Sequence, residues 1–274
     1  MSEFSKEPLS NAEKISRLDG VTFEGTIGHS FKEIDITYPD SEASLRGLFE
    51  RQEVKDIIAG TRHFRSEYPQ TFNGLLLGNP DISFEGDKLV IKAEALHYQV
   101  YFGAHEYRRH HAEIGEQYAA LSVCGIVYDS TRSCFYLSVR PSDSQEDASK
   151  MDAPGGVLNP EYLDADPLET AKDRLVKKLG ILDLDIKNIG VEKIFNDKYS
   201  LYNLAMYAEV EDMLPNVEEE LFSVIKLGDV RSWLASDKLT TPAKATLLLA
   251  LAQPQFEDFG WGAEKVKELV DSTT

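Results

Sequence analysis

Apolar and polar positions alternate along the chain in patterns typical of a mixed α/β protein. An apolar residue at every second position predicts a strand, and apolar residues three or four apart predict a helix. In the first half these patterns predict a strand at His29–Tyr38, a helix at Ser41–Ile58, a short strand between turns at Asn79–Asp81 and Glu85–Asp87, its partner at Lys88–Glu94, and an aromatic-faced helix at Leu96–Arg109.

The second half has clearer boundaries. Asp166 followed by Pro167 is typical of a helix start, and Gly180 is typical of a helix end. Between these two residues, apolar residues recur at a spacing that places them on one face of a helix. The other predicted elements are strands at Ala119–Tyr128, Cys134–Arg140, Ile189–Phe195 and Leu201–Val210, and a helix at Pro242–Ala252 that is capped by Thr240 or Thr241.

The same patterns predict three parts. Residues 1–20 are polar and predict a flexible leader. Residues 21–115 predict a smaller α+β extension, and residues 116–274 predict an α/β domain with a mixed sheet.

Charge and composition exclude several functions. The 274 residues include 47 acids against 29 Lys and Arg, giving a formal charge of −18, so we expect neither nucleic-acid binding nor docking on anionic lipid. The N-terminal segment has no apolar stretch typical of a secretory signal, and two cysteines in predicted core strands favour a reducing compartment. We therefore expect a cytoplasmic protein, with the nucleus left open.

The stretch from Ala153 to Ile181, APGGVLNPEYLDADPLETAKDRLVKKLGI, carries the most specific pattern in the chain. A Gly-Gly pair, a loop, an amphipathic helix and a terminal Gly-Ile resemble the box motif of the Nudix family. The resemblance implies an α/β/α sandwich with a mixed sheet. It also implies diphosphate chemistry, in which helix glutamates hold divalent cations that activate water.

The resemblance covers the shape of the motif and not its metal ligands. Aligned from Gly180, the positions of the family's glutamates hold Arg174, Lys177 and Lys178. Cations repel Mg²⁺, whereas they can meet a phosphate directly. Our first hypothesis is a diverged protein that binds a nucleoside-diphosphate compound, with a nucleotide sugar as the candidate ligand, without hydrolysis and without a cofactor. Its contacts would be Arg140, Gly155, Gly156, Arg174, Lys177 and Lys178.

Two alternatives stay open. The first is an active Mg²⁺- or Mn²⁺-dependent diphosphate hydrolase whose ligands have moved to Glu169, Asp173 and Glu219. The second is a module that binds a protein partner and has no ligand in its cleft. A plainer interpretation of the helix charges also competes, because Asp173 and Lys177 form an ordinary i, i+4 ion pair.

A weaker resemblance precedes the motif. YPQTFNGLLL and LHYQVYFGAHEYRRHH are similar to the N-terminal extension of UDP-sugar pyrophosphatase-type Nudix proteins. This similarity is the basis for expecting a nucleotide sugar.

Overall fold

The computed structural model describes residues 18, 20–39, 41–60, 74–108, 117–142, 147–162, 166–196 and 199–272, except for the side chains of residues 41–44, 60, 106–108 and 219. Most of the predicted leader, the YPQTFN segment, Arg109 and the two histidines after it lie outside the described residues.

Eleven strands, seven α-helices and three short 3-10 helices are present in the described residues. The strands are β1 (Val21–Glu24), β2 (Glu33–Thr37), β3 (Leu75–Glu85), β4 (Lys88–His97), β5 (Ala120–Asp129), β6 (Cys134–Val139), β7 (Met151–Asp152), β8 (Gly155–Val157), β9 (Ile186–Phe195), β10 (Ser200–Val210) and β11 (Phe222–Lys226). The helices are α1 (Ser41–Glu50), α2 (Gln52–Gly60), α3 (Tyr98–Arg108), α4 (Pro167–Leu179), α5 (Val230–Ala235), α6 (Thr241–Leu251) and α7 (Ala263–Asp271).

The strands form a single mixed sheet with the main order β1-β9-β10-β5-β3-β4-β2. β5 and β10 run parallel at its centre, and β9 and β1 extend the sheet antiparallel. The other edge of β5 is divided among β3 at its start, β8 in its middle and β6 at its end. β8, which carries the glycine pair, is therefore held against the central strand.

Helices cover both faces of this sheet. α6 is buried along its whole length and packs on one face, with Leu247 and Leu251 in the same core as Ile126 and Ala205. α4 packs on the opposite face, where Leu175 and Leu179 share a core with Tyr136. The predicted α/β/α sandwich with a mixed sheet is confirmed.

The N-terminal part adds to the same sheet. β1 pairs with β9, and β3 meets β5 at the Gly78–Ala120 pair. One face of β3 and β4 packs over the α4 side of the central strands, and α1, α2 and α3 cover the other face. Strands of residues 21–115 are hydrogen-bonded to strands of residues 116–274 in one sheet. The predicted boundary between two domains at residue 115 therefore stays a prediction.

The single helix predicted at Ser41–Ile58 is wrong. The N–H of Arg51 bonds to the carbonyl of Leu48, three residues back instead of four, and this bond ends α1 before α2 begins. The helix predicted from Leu96 is also too long. Leu96 and His97 pair with β3, so strand pairing overrides the helical pattern there.

The turn predicted at Asn79–Asp81 is a bulge inside β3. The register shifts between Gly78 and Asp81, and Asn79 has a φ of 45°. The Asn79 amide holds this conformation, because it donates to Glu94 and accepts from the N–H of Ala119. The short strand that we predicted is therefore the second half of a longer one.

No helix within the described ranges is long and apolar enough to cross a membrane.

Candidate functional site: the glycine pair and α4

Local sequence fixes the position of α4. The Asp166 carboxylate caps the helix by accepting from the N–H groups of Leu168 and Glu169 at 2.9 and 3.1 Å. Gly180 ends it in a left-handed conformation with a φ of 66°. Leu175 is fully buried and sits over Gly125 of β5, where a Cβ would lie 2.9 Å from the leucine side chain. The predicted start, end and buried face of this helix are confirmed.

The glycine pair brings β8 close to both β5 and α4. Gly155 pairs with Cys124, and a Cβ at Gly155 would lie 2.1 Å from the carbonyl oxygen of Val123, so only glycine fits. A Cβ at Gly156 would instead lie 3.5 to 3.9 Å from the Arg174 guanidinium. Arg174 therefore lies directly over Gly156.

Tyr162 joins the loop after β8 to the helix. Its hydroxyl donates to Asp173 Oδ2 at 2.5 Å and accepts from Lys177 Nζ at 3.0 Å. Lys177 Nζ also lies 2.8 Å from Asp173 Oδ2, and the Arg174 guanidinium carbon lies 5.4 Å from the centre of the Tyr162 ring. The predicted Asp173–Lys177 ion pair is confirmed.

This cluster keeps its charges. Partial burial raises the pKa of the Asp173 carboxyl, but the hydrogen bonds from Lys177 and Tyr162 outweigh burial, so the pKa lies below its usual value. The same hydrogen bonds, first from Asp173 and then from Tyr162, raise the pKa of Lys177. At neutral pH the Asp173 carboxylate therefore has an ammonium group and a phenol as its partners.

The described residues of α4 and its neighbours do not fit a divalent cation. Asp173 is neutralised by Lys177, and Arg174 adds a further positive charge on the same helix. Glu169 is exposed in the first turn of α4. No three His, Cys, Asp or Glu side chains in the described part of the chain are grouped so that they could hold a metal ion.

The Arg174 guanidinium has an unusual environment. Its Nε is buried and has no hydrogen-bond partner among the described residues. A buried donor without an acceptor costs about 1–3 kcal/mol, and more when the donor is charged. An anionic oxygen beside Gly156 would offset this cost.

The structure brings together only some of the residues that the sequence nominates. Gly156, Arg174, Asp173 and Lys177 lie together, and Gly155 supports them from the strand. Lys178 is exposed near the end of α4. Glu219 begins a short 3-10 turn, Glu219–Leu221, and its side chain lies outside the described residues.

Arg140 forms its ion pair with a residue outside α4. It pairs with Asp152 at 2.8 Å, and Asp152 in turn accepts at 2.5 Å from Thr240, the N-cap of α6. The contacts of Arg140 therefore connect β6 with the start of α6, whereas Arg174 lies on α4.

Sequence reasoning missed Tyr162. Tyr162 and Asp173 are eleven residues apart in sequence and are joined by a loop. Apolar and polar periodicity does not predict the conformation of such a loop, so the hydrogen bond between them could not be predicted. An aromatic residue in the loop after the glycine pair was the only available indication.

Comparison with known proteins gives structural similarities only. No protein-family model and no curated protein matches the chain. The chain is similar to a MutT/Nudix family protein from Listeria innocua, with 14% identity over 51% of this chain and 96% of that one, at a TM-score of 0.39. It is similar to the MutT protein of Methanosarcina mazei Go1, with 17% identity over 52% and 95% of the two chains and a TM-score of 0.36. A third is a bifunctional NMN adenylyltransferase/ADP ribose pyrophosphatase from Francisella tularensis, complexed with AMP and a manganese ion, with 12% identity over 54% and 45% and a TM-score of 0.34.

These similarities concern the fold. The sheet order and the two helix layers described above define the molecule as an α/β/α sandwich with a mixed sheet.

Proposed function

We propose that this chain binds a nucleoside-diphosphate-linked compound through its phosphates, without a metal ion and without hydrolysing it. The observation that carries the proposal is the buried Nε of Arg174 above Gly156, which has no hydrogen-bond partner in the part of the chain that the structure describes. Gly156, Lys177 and Lys178 complete the proposed contacts. The nucleoside part, and a sugar in particular, rests on the sequence resemblance.

The chemistry of arginine supports an anionic ligand. A guanidinium presents donors in a planar fork that matches two oxygens of a phosphate. The Tyr162 ring fixes the orientation of the guanidinium, and Gly156 has no side chain to hinder an oxygen. Lys177 and Lys178 add positive charge next to Arg174 in a protein that is otherwise strongly acidic.

The same contacts argue against metal-dependent hydrolysis. A helix face that carries Arg174 and Lys177 repels the cation that would lower the pKa of water to about 7. Asp173 is the carboxylate closest to Arg174 in sequence, and it is held by Tyr162 and Lys177. The alternative of a hydrolase with Glu169, Asp173 and Glu219 as ligands would need this cluster to open.

Calorimetry with UDP-glucose and ADP-ribose, in the presence of EDTA, tests the proposal. We expect binding by the wild type and a loss of at least about tenfold in Arg174→Gln, because a charged hydrogen bond contributes ~1.5–3 kcal/mol. Lys177→Glu should also weaken binding, since it replaces attraction for phosphate by repulsion. Lys172→Gln removes one charge from the same helix without touching Gly156 and is the control.

Two outcomes would contradict the proposal. One is the absence of binding to every diphosphate compound at millimolar concentration. The other is equal binding by the wild type and Arg174→Gln, which would place any ligand elsewhere.

A further inference from the structure

A patch of exposed apolar side chains lies beyond the C-terminal end of α4. Leu182, Leu214 and Leu221 are 60%, 58% and 49% exposed, and Met213 and Val224 are 36% and 43% exposed. Large apolar side chains scattered singly on a surface need no explanation, whereas a contiguous group marks an interaction site.

Hydrogen bonds and packing bring these residues together. The N–H of Asn216 bonds to the carbonyl of Leu179, and the Asn216 backbone packs on Gly180, so residues 213–216 run beside the end of α4 and the start of the Leu182 segment. The Tyr136 hydroxyl donates to the carbonyl of Met213 at 2.9 Å.

The same tyrosine connects β11 to the patch. The Tyr136 ring lies 6.4 Å from the ring of Phe222, and Phe222 follows Leu221 directly. Val224 is two residues further on, so its side chain is on the same face of β11 as Phe222. The patch therefore joins α4, the Met213 loop and β11.

Acidic residues surround the patch. Residues 181–185 and 211–221 contain no Lys or Arg and six acids whose side chains are described: Asp183, Asp185, Glu211, Asp212, Glu218 and Glu220. Lys178 near the end of α4 and Lys226 at the end of β11 are their basic neighbours along the chain. Of these, Asp212 is paired with Arg132. The patch thus combines an apolar centre with a negative rim, which is the complement of an amphipathic segment with basic flanks.

We propose that this patch docks a basic amphipathic segment of a partner protein. The apolar side chains of that segment contact Leu182, Leu214 and Leu221, and its Lys and Arg side chains pair with the acidic rim. A second copy of this chain does not fit, because it brings the same acidic rim and a formal charge of −18. The site is independent of the diphosphate proposal, since Arg174 and Gly156 are not part of it.

Fluorescence anisotropy with a labelled 18-residue Leu/Lys amphipathic peptide tests the proposal, and the same peptide with Glu in place of Lys is the charge control. We expect the Leu/Lys peptide to bind, and binding to weaken as salt is added. Leu182→Ser/Leu214→Ser and Glu218→Gln/Glu220→Gln should each lower its affinity at least fivefold. The matched controls Phe259→Ser, which removes another exposed apolar side chain, and Glu264→Gln/Glu268→Gln should leave the affinity unchanged.

Equal loss in the patch variants and the matched controls would overturn the proposal, because attraction to the acidic protein as a whole would then explain the binding. Equal affinity for the Lys and Glu peptides would also overturn it. Sedimentation equilibrium tests whether a second copy of this chain occupies the patch instead. A wild-type dimer that is lost in Leu182→Ser/Leu214→Ser would assign the patch to a second copy and overturn the proposal. Each variant is compared with the wild type only if its melting temperature lies within a few degrees of the wild-type value, which shows that the variant is folded.

Discussion

The buried carboxyl of Glu192 should make the stability of this protein fall as pH rises. Glu192 lies on β9 and is fully buried, and its Oε2 accepts from Asn203 Nδ2 at 2.7 Å. Its Oε1 has no partner among the described residues. Burial raises the pKa of Glu192 to about 8 from an ordinary value of 4.5, although the hydrogen bonds from Asn203 and Thr246 oppose this rise.

The sign follows from proton binding. Because the folded state holds the proton more tightly than the unfolded state, stability is lost as pH rises from about 4.5 to about 8, and it levels off outside that window. At ~1.36 kcal/mol for each unit between the two pKa values, ionising Glu192 costs the folded state roughly 5 kcal/mol.

Glu192→Gln tests this reasoning because it keeps the shape of the side chain and an acceptor for Asn203 but cannot titrate. Guanidinium unfolding, followed by tryptophan fluorescence, should be measured at pH 5 and pH 8.5. We expect the variant to gain roughly 3–5 kcal/mol relative to the wild type between these two values.

Glu264→Gln, an exposed glutamate on α7, is the control and should give no such change. If the difference in unfolding free energy between wild type and Glu192→Gln were the same at both pH values, Glu192 would not be the titrating group.

Three further predictions concern the framework of the site, and each is measured by chemical unfolding. Asp166→Ala removes the cap of α4 and should cost about 1 kcal/mol, and an unchanged midpoint would show that the cap contributes nothing. Leu175→Ala should cost roughly 2–5 kcal/mol because it leaves a cavity, whereas the exposed Leu182→Ala should change little; equal effects would contradict the packing. Gly155→Ala should cost roughly 3 kcal/mol because its Cβ would overlap the carbonyl of Val123, while Gly156→Ala, which makes ordinary contacts, should fold normally; the reverse order would refute the assignment of β8.

The parts of the fold that could be predicted are those with local causes. Asp166, Pro167 and Gly180 act within one turn of backbone, so the bounds of α4 could be predicted. Strands with long apolar runs, such as Ser200–Val210, were also found to within a residue. Nearly all side chains of this strand are buried, so its apolar run has no helical spacing that would predict a different element.

The errors fall where distant contacts decide. Asn79 looks like a turn residue, but pairing with β4 on one side and the N–H of Ala119 on the other makes it a bulge. Leu96 and His97 directly precede a helix in sequence, but they pair with β3 and belong to β4. Local propensity loses in both cases because pairing with neighbouring strands, which lie far away in sequence, sets the backbone conformation.

The candidate site shows the same limit. The Asp173–Lys177 pair could be predicted because helix geometry places residues four apart together. The Tyr162 bridge and the Arg140–Asp152 pair could not, since each joins segments whose relative position depends on the whole sheet.

Phosphorus NMR tests the central claim most directly. The protein would be mixed with UDP-glucose and ADP-ribose, first with EDTA and then with Mg²⁺ or Mn²⁺. Binding through Arg174 without hydrolysis predicts broadened phosphate resonances of at least one compound in EDTA, sharpening again in Arg174→Gln, and no new signals when metal is added. Two monophosphate resonances that appear only with Mg²⁺ or Mn²⁺ would contradict the account and would identify the protein as a metal-dependent hydrolase.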